Sequence, residues 1–269
     1  MPDVYLTIAE ADLAVLEGLA QILELRAADP QQAAIRDAYL DAVAWPADAR
    51  VMEGGCGTGA VSRAVAARAE VGEVVATDPS PFFVERAREL AAGIDALTFA
   101  VADARALPFD DATFDVALFH TVLCHVPEPE VALAEACRVL RPGGQLVVFD
   151  GDYATTTVAI GVGDPLQACV DAALEALVHD RYFVRGLPSL VAAAGFESVA
   201  LASHGYVEAP SSGGYMVALV DRGADALVAA GGISSDAADA LKAEARRRSD
   251  AGEFFGHIAY ASLTAAKPR

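Results

Sequence analysis

The sequence predicts an α/β fold: a doubly wound, largely parallel sheet with helices on both faces. Three observations lead there. Short apolar runs of strand character alternate with helical stretches between residues 50 and 150. The first run, Arg50–Gly54, passes directly into a glycine-rich turn, Gly55-Cys56-Gly57-Thr58-Gly59. The second ends at the acidic Asp78, just before Pro79 and Ser80.

The elements follow in order. Residues 4–26 place Val4, Ile8, Leu13, Leu16, Leu19, Ile22 and Leu23 at helical spacing, and a second helix over 30–44 begins at Pro30. Pro46 ends it. Strands are expected at 50–54, 73–78, 97–101, 114–120 and 145–150, with helices at 59–69, 81–92, 129–139 and 183–194. Beyond them, residues 196–207 and 256–266 alternate as strands. Between these lie helical stretches over 212–230 and 235–250, separated by Gly231-Gly232. Neither an internal repeat nor a low-complexity linker interrupts the pattern. The chain reads as one domain, 1–269: an N-terminal helical cap (1–45), a core (46–207), a helical insertion (208–254), and a last strand with tail (255–269).

Composition narrows the function. The chain is 54% hydrophobic and carries a net charge of −19. Its lysines are Lys242 and Lys267. Phosphate backbones need clustered basic residues, so neither a nucleic acid nor an anionic membrane is an expected partner. The start, Met-Pro-Asp-Val-Tyr-Leu, lacks the basic and apolar runs of a signal peptide, and no uncharged stretch is long enough to span a bilayer. A cytoplasmic location is the expectation. Cys56, Cys124, Cys137 and Cys169 show no paired zinc spacing, so no metal is expected.

The turn after the first strand is the most informative segment. Gly55, Gly57 and Gly59 allow crowded or left-handed backbone and let a ligand approach the main chain at the mouth of a helix. The stretch Gly55-Cys56-Gly57-Thr58-Gly59-Ala60 also satisfies the dinucleotide fingerprint, with Asp78 near the expected ribose acid. Glu53, two residues before the first glycine, argues otherwise. It would repel a pyrophosphate but suits a ligand bearing an ammonium and a sulfonium. A second acidic turn, Ala102-Asp103-Ala104, follows the third strand. Then come Phe114–His120, a helix, and Arg138-Val139-Leu140-Arg141-Pro142-Gly143-Gly144 before another apolar strand.

Over residues 46–150 these features resemble the class I S-adenosylmethionine (SAM)-dependent methyltransferases, in the ubiquinone-biosynthesis-type small-molecule group. The resemblance implies a Rossmann-like sheet whose last strand is antiparallel, here preceded by a helical insertion. It also implies SAM as cofactor, S-adenosylhomocysteine as product, and a small-molecule acceptor. The expected cofactor residues are Glu53, Gly55, Gly57, Gly59, Asp78, Pro79, Ser80, Asp103, Ala104 and His120. Glu53 would face the amino group and Asp78 both ribose hydroxyls. The Asp103 carboxylate and the Ala104 N–H would meet adenine, with Phe99, Leu107 or Phe82 beside the ring. Pro79 and Ser80 would open the following helix.

His120, at a strand's carboxyl end, is the candidate catalytic base. Contact to the cofactor through its backbone alone is an equal alternative. His125 reads as a packing or helix-start residue. Asp150, Asp152 and Tyr153 face the same sheet edge and suit a cationic or hydroxylated acceptor, with one of them expected only to cap the loop. His179, Asp180, Arg181 and Tyr182 form either an acceptor wall or an exposed helix end, and Arg36 is a candidate for the cofactor carboxylate. A SAM-binding protein of the same fold that does not methylate, acting as a cyclase or scaffold, is the rival reading. The sequence leaves open the acceptor, the methylated atom and the oligomeric state, a homodimer being one option.

Overall fold

A computed structural model describes residues 3–208 and 214–269. Its frame is a seven-stranded sheet: β1 (Ala49–Gly54), β2 (Val71–Asp78), β3 (Leu97–Val101), β4 (Phe114–His120), β5 (Leu140–Thr157), β6 (Glu197–Glu208) and β7 (Gly256–Ala266). The spatial order is β3-β2-β1-β4-β5-β7-β6. Pairing is parallel from β3 through β5, whereas β7 runs antiparallel between β5 and β6. This is the sheet expected from the sequence, including its antiparallel last strand. The order reverses at β1 and β4, the place where open α/β sheets bind ligands beyond the strands' carboxyl ends.

Val51, Met52, Val116, Leu118, Val147 and Phe149 are buried, which accounts for the near-continuous apolar character of the central strands. Helices α3 (Ala60–Ala66), α4 (Pro81–Leu90) and α5 (Pro129–Val139) follow strands as the pattern anticipates, and α7 (Phe183–Ala193) leads into β6. Several helix starts share one device, an acid or hydroxyl before a proline. Asp29 accepts the Gln31 and Gln32 N–H groups ahead of α2 (Pro30–Asp41). Ser80 accepts Phe83 N–H ahead of Pro81, and Asp164 accepts Leu166 N–H ahead of Pro165.

Four differences from the sequence-based expectation matter. Residues 4–26 are not one helix: a 3-10 segment, Val4–Glu10, turns at Ala11-Asp12 into α1 (Leu13–Ala28). The turn lets Ile8 fold back onto Leu16, Leu19, Ala20 and Phe83. Strand β5 reaches well beyond 145–150 because β7 pairs along most of its length. A further helix, α6 (Pro165–Leu177), stands among the expected elements, and Pro79 precedes the cap of α4 instead of opening that helix. The helical insertion contains α8 (Tyr215–Ala229) and α9 (Ser235–Asp250), while the start expected at 212 lies partly outside the described residues.

Helices α6 and α8 meet backbone to backbone. A Cβ on Gly223 would collide with the Cys169 carbonyl oxygen, so only glycine permits this approach. Gly223→Ala should therefore cost about 1–3 kcal/mol, the usual penalty for overpacking a tight contact. Urea unfolding monitored by circular dichroism checks this; an unchanged midpoint would show that the crossing yields freely.

Candidate functional site

A cavity of about 460 Å³ opens over the carboxyl ends of β1, β2 and β4. Glu53, Gly55, Gly57, Asp78, Pro79, Asp103, Ala104 and His120 all line it. Gly59 and Ser80 do not. Gly59 supplies the left-handed residue that begins α3, and Ser80 caps α4. Both shape the site from behind.

The glycine turn is fastened to β2. Gly55, Gly57 and Gly59 have φ of +69°, +52° and +75°, a region side chains disfavour. Cys56 N–H donates to the Thr77 carbonyl, and Gly57 N–H donates to Asp78 Oδ2 at 2.9 Å. Ser80 N–H donates to Asp78 Oδ1, also at 2.9 Å. Asp78 thus locks the turn with one oxygen and the α4 entrance with the other, and keeps lone pairs for a ligand.

Glu53 closes β1 almost without solvent contact, and Ser62 of α3 donates its hydroxyl to Oε2. Burial dominates its titration and raises its pKa to about 8, against the opposing Ser62 hydrogen bond. Burial likewise raises Asp78 to about 6, opposed by the Ser80 and Gly57 N–H groups. Asp103 differs. It is held by Arg105 at 2.7 Å, and that hydrogen bond is the main cause of its lowered pKa. Phe99, Leu107 and Phe82 pack into or against the core instead of the cavity, whereas Phe83 and Val126 reach its wall.

His120 sits between two partners. Arg26 donates Nη2 to His120 Nε2 at 3.3 Å; because arginine only donates, Nδ1 carries the ring proton and donates to Tyr39 Oη at 2.8 Å. Burial first, and then the charges of Arg26 and Arg36, hold the imidazole well below its ordinary pKa. The next residue, Thr121, has φ +53°, unusual for a β-branched side chain. Its hydroxyl accepts from Arg26 Nη1 at 3.1 Å.

Of the remaining candidates, Tyr153, Arg36 and His125 line the cavity. Asp150 and Asp152 do not. Asp150 accepts the Cys124 and Gly151 N–H groups, and Asp152 pairs with Arg185. Asp180 accepts Tyr182 N–H at an exposed helix start, so the 179–182 cluster forms no wall. His125 pairs with Asp3 at 2.7 Å, and Asp3 also accepts the Tyr5 and His179 N–H groups, pinning the N-terminal segment.

Sequence reasoning missed Arg26, Tyr5, Ser62, Tyr215 and Arg222. For Arg26 a signal existed: it shares a helix face with Leu19, Ile22 and Leu23, an arginine on an apolar stripe. Tyr215 and Arg222 come from the insertion and line the same cavity, which no local pattern shows.

Glu53 should leave a signature on stability in the ligand-free protein. Its folded pKa is raised, so between the ordinary glutamate range and about 8 the folded state holds a proton that the unfolded chain has released. The contribution is full at low pH and is lost as pH rises through that window. Measured by urea unfolding between pH 5 and 9, wild type should lose stability relative to Glu53→Gln as pH rises. Parallel curves would deny the buried, protonated carboxyl.

Comparisons with known proteins agree with this geometry. Residues 52–148 match the family described as methyltransferase domain. Demethylmenaquinone methyltransferase of Clavibacter sepedonicus is 42% identical over 115 residues, 43% of this chain and 46% of that protein. The ubiquinone/menaquinone C-methyltransferase UbiE of Roseobacter denitrificans is 37% identical over 118 residues, 43% of this chain and 47% of that protein. The chain thus spans about half the length of these relatives. Among solved structures, the [4+2]-cyclase SpnF shares the fold at a TM-score of 0.55 and 23% identity, covering 88% of this chain and 82% of that one. In the glycine turn, the acids of β1 and β2 and these matches, residues 52–148 are similar to SAM-dependent methyltransferases.

Proposed function

We propose that the protein transfers the methyl group of SAM to a small-molecule acceptor, releasing S-adenosylhomocysteine. The observation that carries this is one continuous cavity. Its wall includes the acids Glu53, Asp78 and Asp103 with Ala104, and also the apolar and aromatic Tyr153, Leu177, Tyr215 and Leu219. In this reading Glu53 takes the ammonium, Arg36 the carboxylate, and Asp78 the ribose hydroxyls. Asp103 and the Ala104 N–H read adenine; among the described residues no hydrogen bond uses that N–H. SAM supplies a good leaving group at sulfur, so these residues mainly orient the reactants and exclude water. The segments 1–45 and 208–254 would act as caps, a role supported by Tyr5, Ile22, Arg26, Tyr215 and Leu219 on the cavity wall.

Calorimetry with SAM, S-adenosylhomocysteine and NAD tests the cofactor. The two adenosyl ligands should bind in the micromolar range, about −7 to −9 kcal/mol, and NAD should not. Asp78→Ala should weaken SAM by about 1–3 kcal/mol through loss of a charged acceptor. NAD binding without SAM binding would sink the reading. Binding should also release protons, because a cation beside Glu53 and Asp78 favours their ionised forms. Affinity should therefore tighten as pH rises from about 6 to about 8, the raised values of the two acids. Equal apparent enthalpies in buffers of different ionisation enthalpy would contradict that linkage.

His120 is the proposed proton acceptor, placed to receive the acceptor's proton at Nε2 once Arg26 shifts away. His120→Ala should lower turnover by about 10²–10⁴ with SAM affinity kept within a few-fold. Its lowered pKa puts the corresponding limb of the kcat/KM profile, which reports the enzyme before the acceptor is seated, below the ordinary imidazole value. Near-normal turnover in His120→Ala would leave only a backbone role. SAM binding with no methyl release from any metabolite pool would favour the non-methylating reading.

A further inference from the structure

Arg26 is a buried cation whose contacts are all neutral. Its two terminal nitrogens meet Thr121 Oγ1 and His120 Nε2, and its guanidinium carbon lies 5.4 Å from the centre of the Tyr260 ring. Arg222 of α8 lines the same cavity. Among the described residues, no carboxylate comes within 4.0 Å of either guanidinium. That is unusual here, because the chain has 38 acidic residues against 19 basic ones. Elsewhere Arg63, Arg138 and Arg248 each hold a carboxylate. A buried charge left without a counter-ion is costly, so one kept facing a cavity points to an anion arriving from outside.

The surroundings define the rest of that anion. Leu177, Leu219, Tyr215 and Tyr153 give the cavity that Arg26 and Arg222 also line an apolar and aromatic wall. Glu53 and Asp78, at the ends of β1 and β2, occupy the cofactor side of the cavity. Asp150, the acid behind Arg26, is occupied by the Cys124 and Gly151 N–H groups. We infer that the acceptor is an apolar molecule carrying one carboxylate-type group, anchored on Arg26 with Arg222 as a second cation. Planar guanidinium–carboxylate pairing suits this anchoring role. The inference deepens the methyltransferase reading and rests on it.

The test uses protein saturated with S-adenosylhomocysteine, so that the cofactor's own carboxylate site is filled. Naphthalene-2-carboxylate and its neutral isostere naphthalene-2-carboxamide are titrated by calorimetry. Wild type should prefer the carboxylate by about tenfold or more, the scale of one charge-assisted hydrogen-bonded pair. Arg26→Gln should abolish the preference, Arg26→Lys should restore part of it, and Arg222→Gln should reduce it several-fold. Affinity for S-adenosylhomocysteine should stay within a few-fold in all three. Equal binding of the two probes to wild type overturns the inference, as does failure of both to bind. Loss of S-adenosylhomocysteine affinity in Arg26→Gln also overturns it, since Arg26 would then serve the cofactor. If wild type binds no S-adenosylhomocysteine at all, the methyltransferase reading fails instead. Circular dichroism confirms that each variant is folded, and the wild-type comparison decides the matter even where a variant is not.

Discussion

Two carboxylates stand without a cation at the centre of this structure. Glu53 and Asp78 are buried at the ends of adjacent parallel strands, and no ion pair within the described residues answers either. Each is satisfied by short-range donors instead: Ser62 for Glu53, and the Gly57 and Ser80 N–H groups for Asp78. The glycine turn follows from this. Its three positive φ values bring Gly57 N–H to the Asp78 carboxylate, and a side chain at Gly55 would run into Val122. Burying a charge is affordable only when something neutralises it, and here the protein leaves that partly to a proton and partly to a ligand.

Helix α1 is built around the same site. Leu23 lies close enough to touch a Cβ placed on Gly57, and Glu24 pairs with Arg63 of α3 at 2.9 Å. Arg63 also donates to the Thr58 carbonyl within the turn. Further along, Arg26 reaches His120 and Thr121 beyond β4. One helix thus meets the glycine turn and α3 through Leu23 and Glu24 and the end of β4 through Arg26. Leu19, Ile22 and Leu23 of its apolar face line the cavity, so the helix is not simply packed on the sheet.

The sheet was legible because its information is local. Alternating strand and helix patterns, prolines after capping residues, and the glycine turn each act within a few residues. That Glu53, Asp78, Asp103 and Ala104 line the cavity was legible for the same reason, since each lies at or within three residues of a strand's carboxyl end. The rest of the cavity wall was not. Asp150 and Asp152 have the right chemistry in the sequence, but the backbone of Cys124 and the side chain of Arg185 claim them. Only tertiary packing reveals those claims. Tyr215 and Arg222 reach the cavity because α8 crosses α6 at Gly223, a contact between distant segments. The break at Ala11-Asp12 was hidden likewise: helical spacing continues through it, while the packing of Ile8 against Phe83 imposes the turn.

His120 joins the two sides of the cavity, and its chemistry depends on both. Arg26 occupies Nε2, while burial and positive charge hold the imidazole neutral. Such a ring is a poor base. An anionic acceptor on Arg26 would change both conditions at once. It would draw the guanidinium away from Nε2 and offset the positive charge that depresses the imidazole pKa. The strained Thr121 backbone, tied to the same guanidinium, would feel the same shift. In this arrangement His120 gains basicity only when an acceptor is seated, which couples proton acceptance to occupancy of the far half of the cavity. An acceptor lacking the anionic group would leave Arg26 on the ring and the base disabled. Arg26 would then discriminate between acceptors through His120 as well as through direct contact.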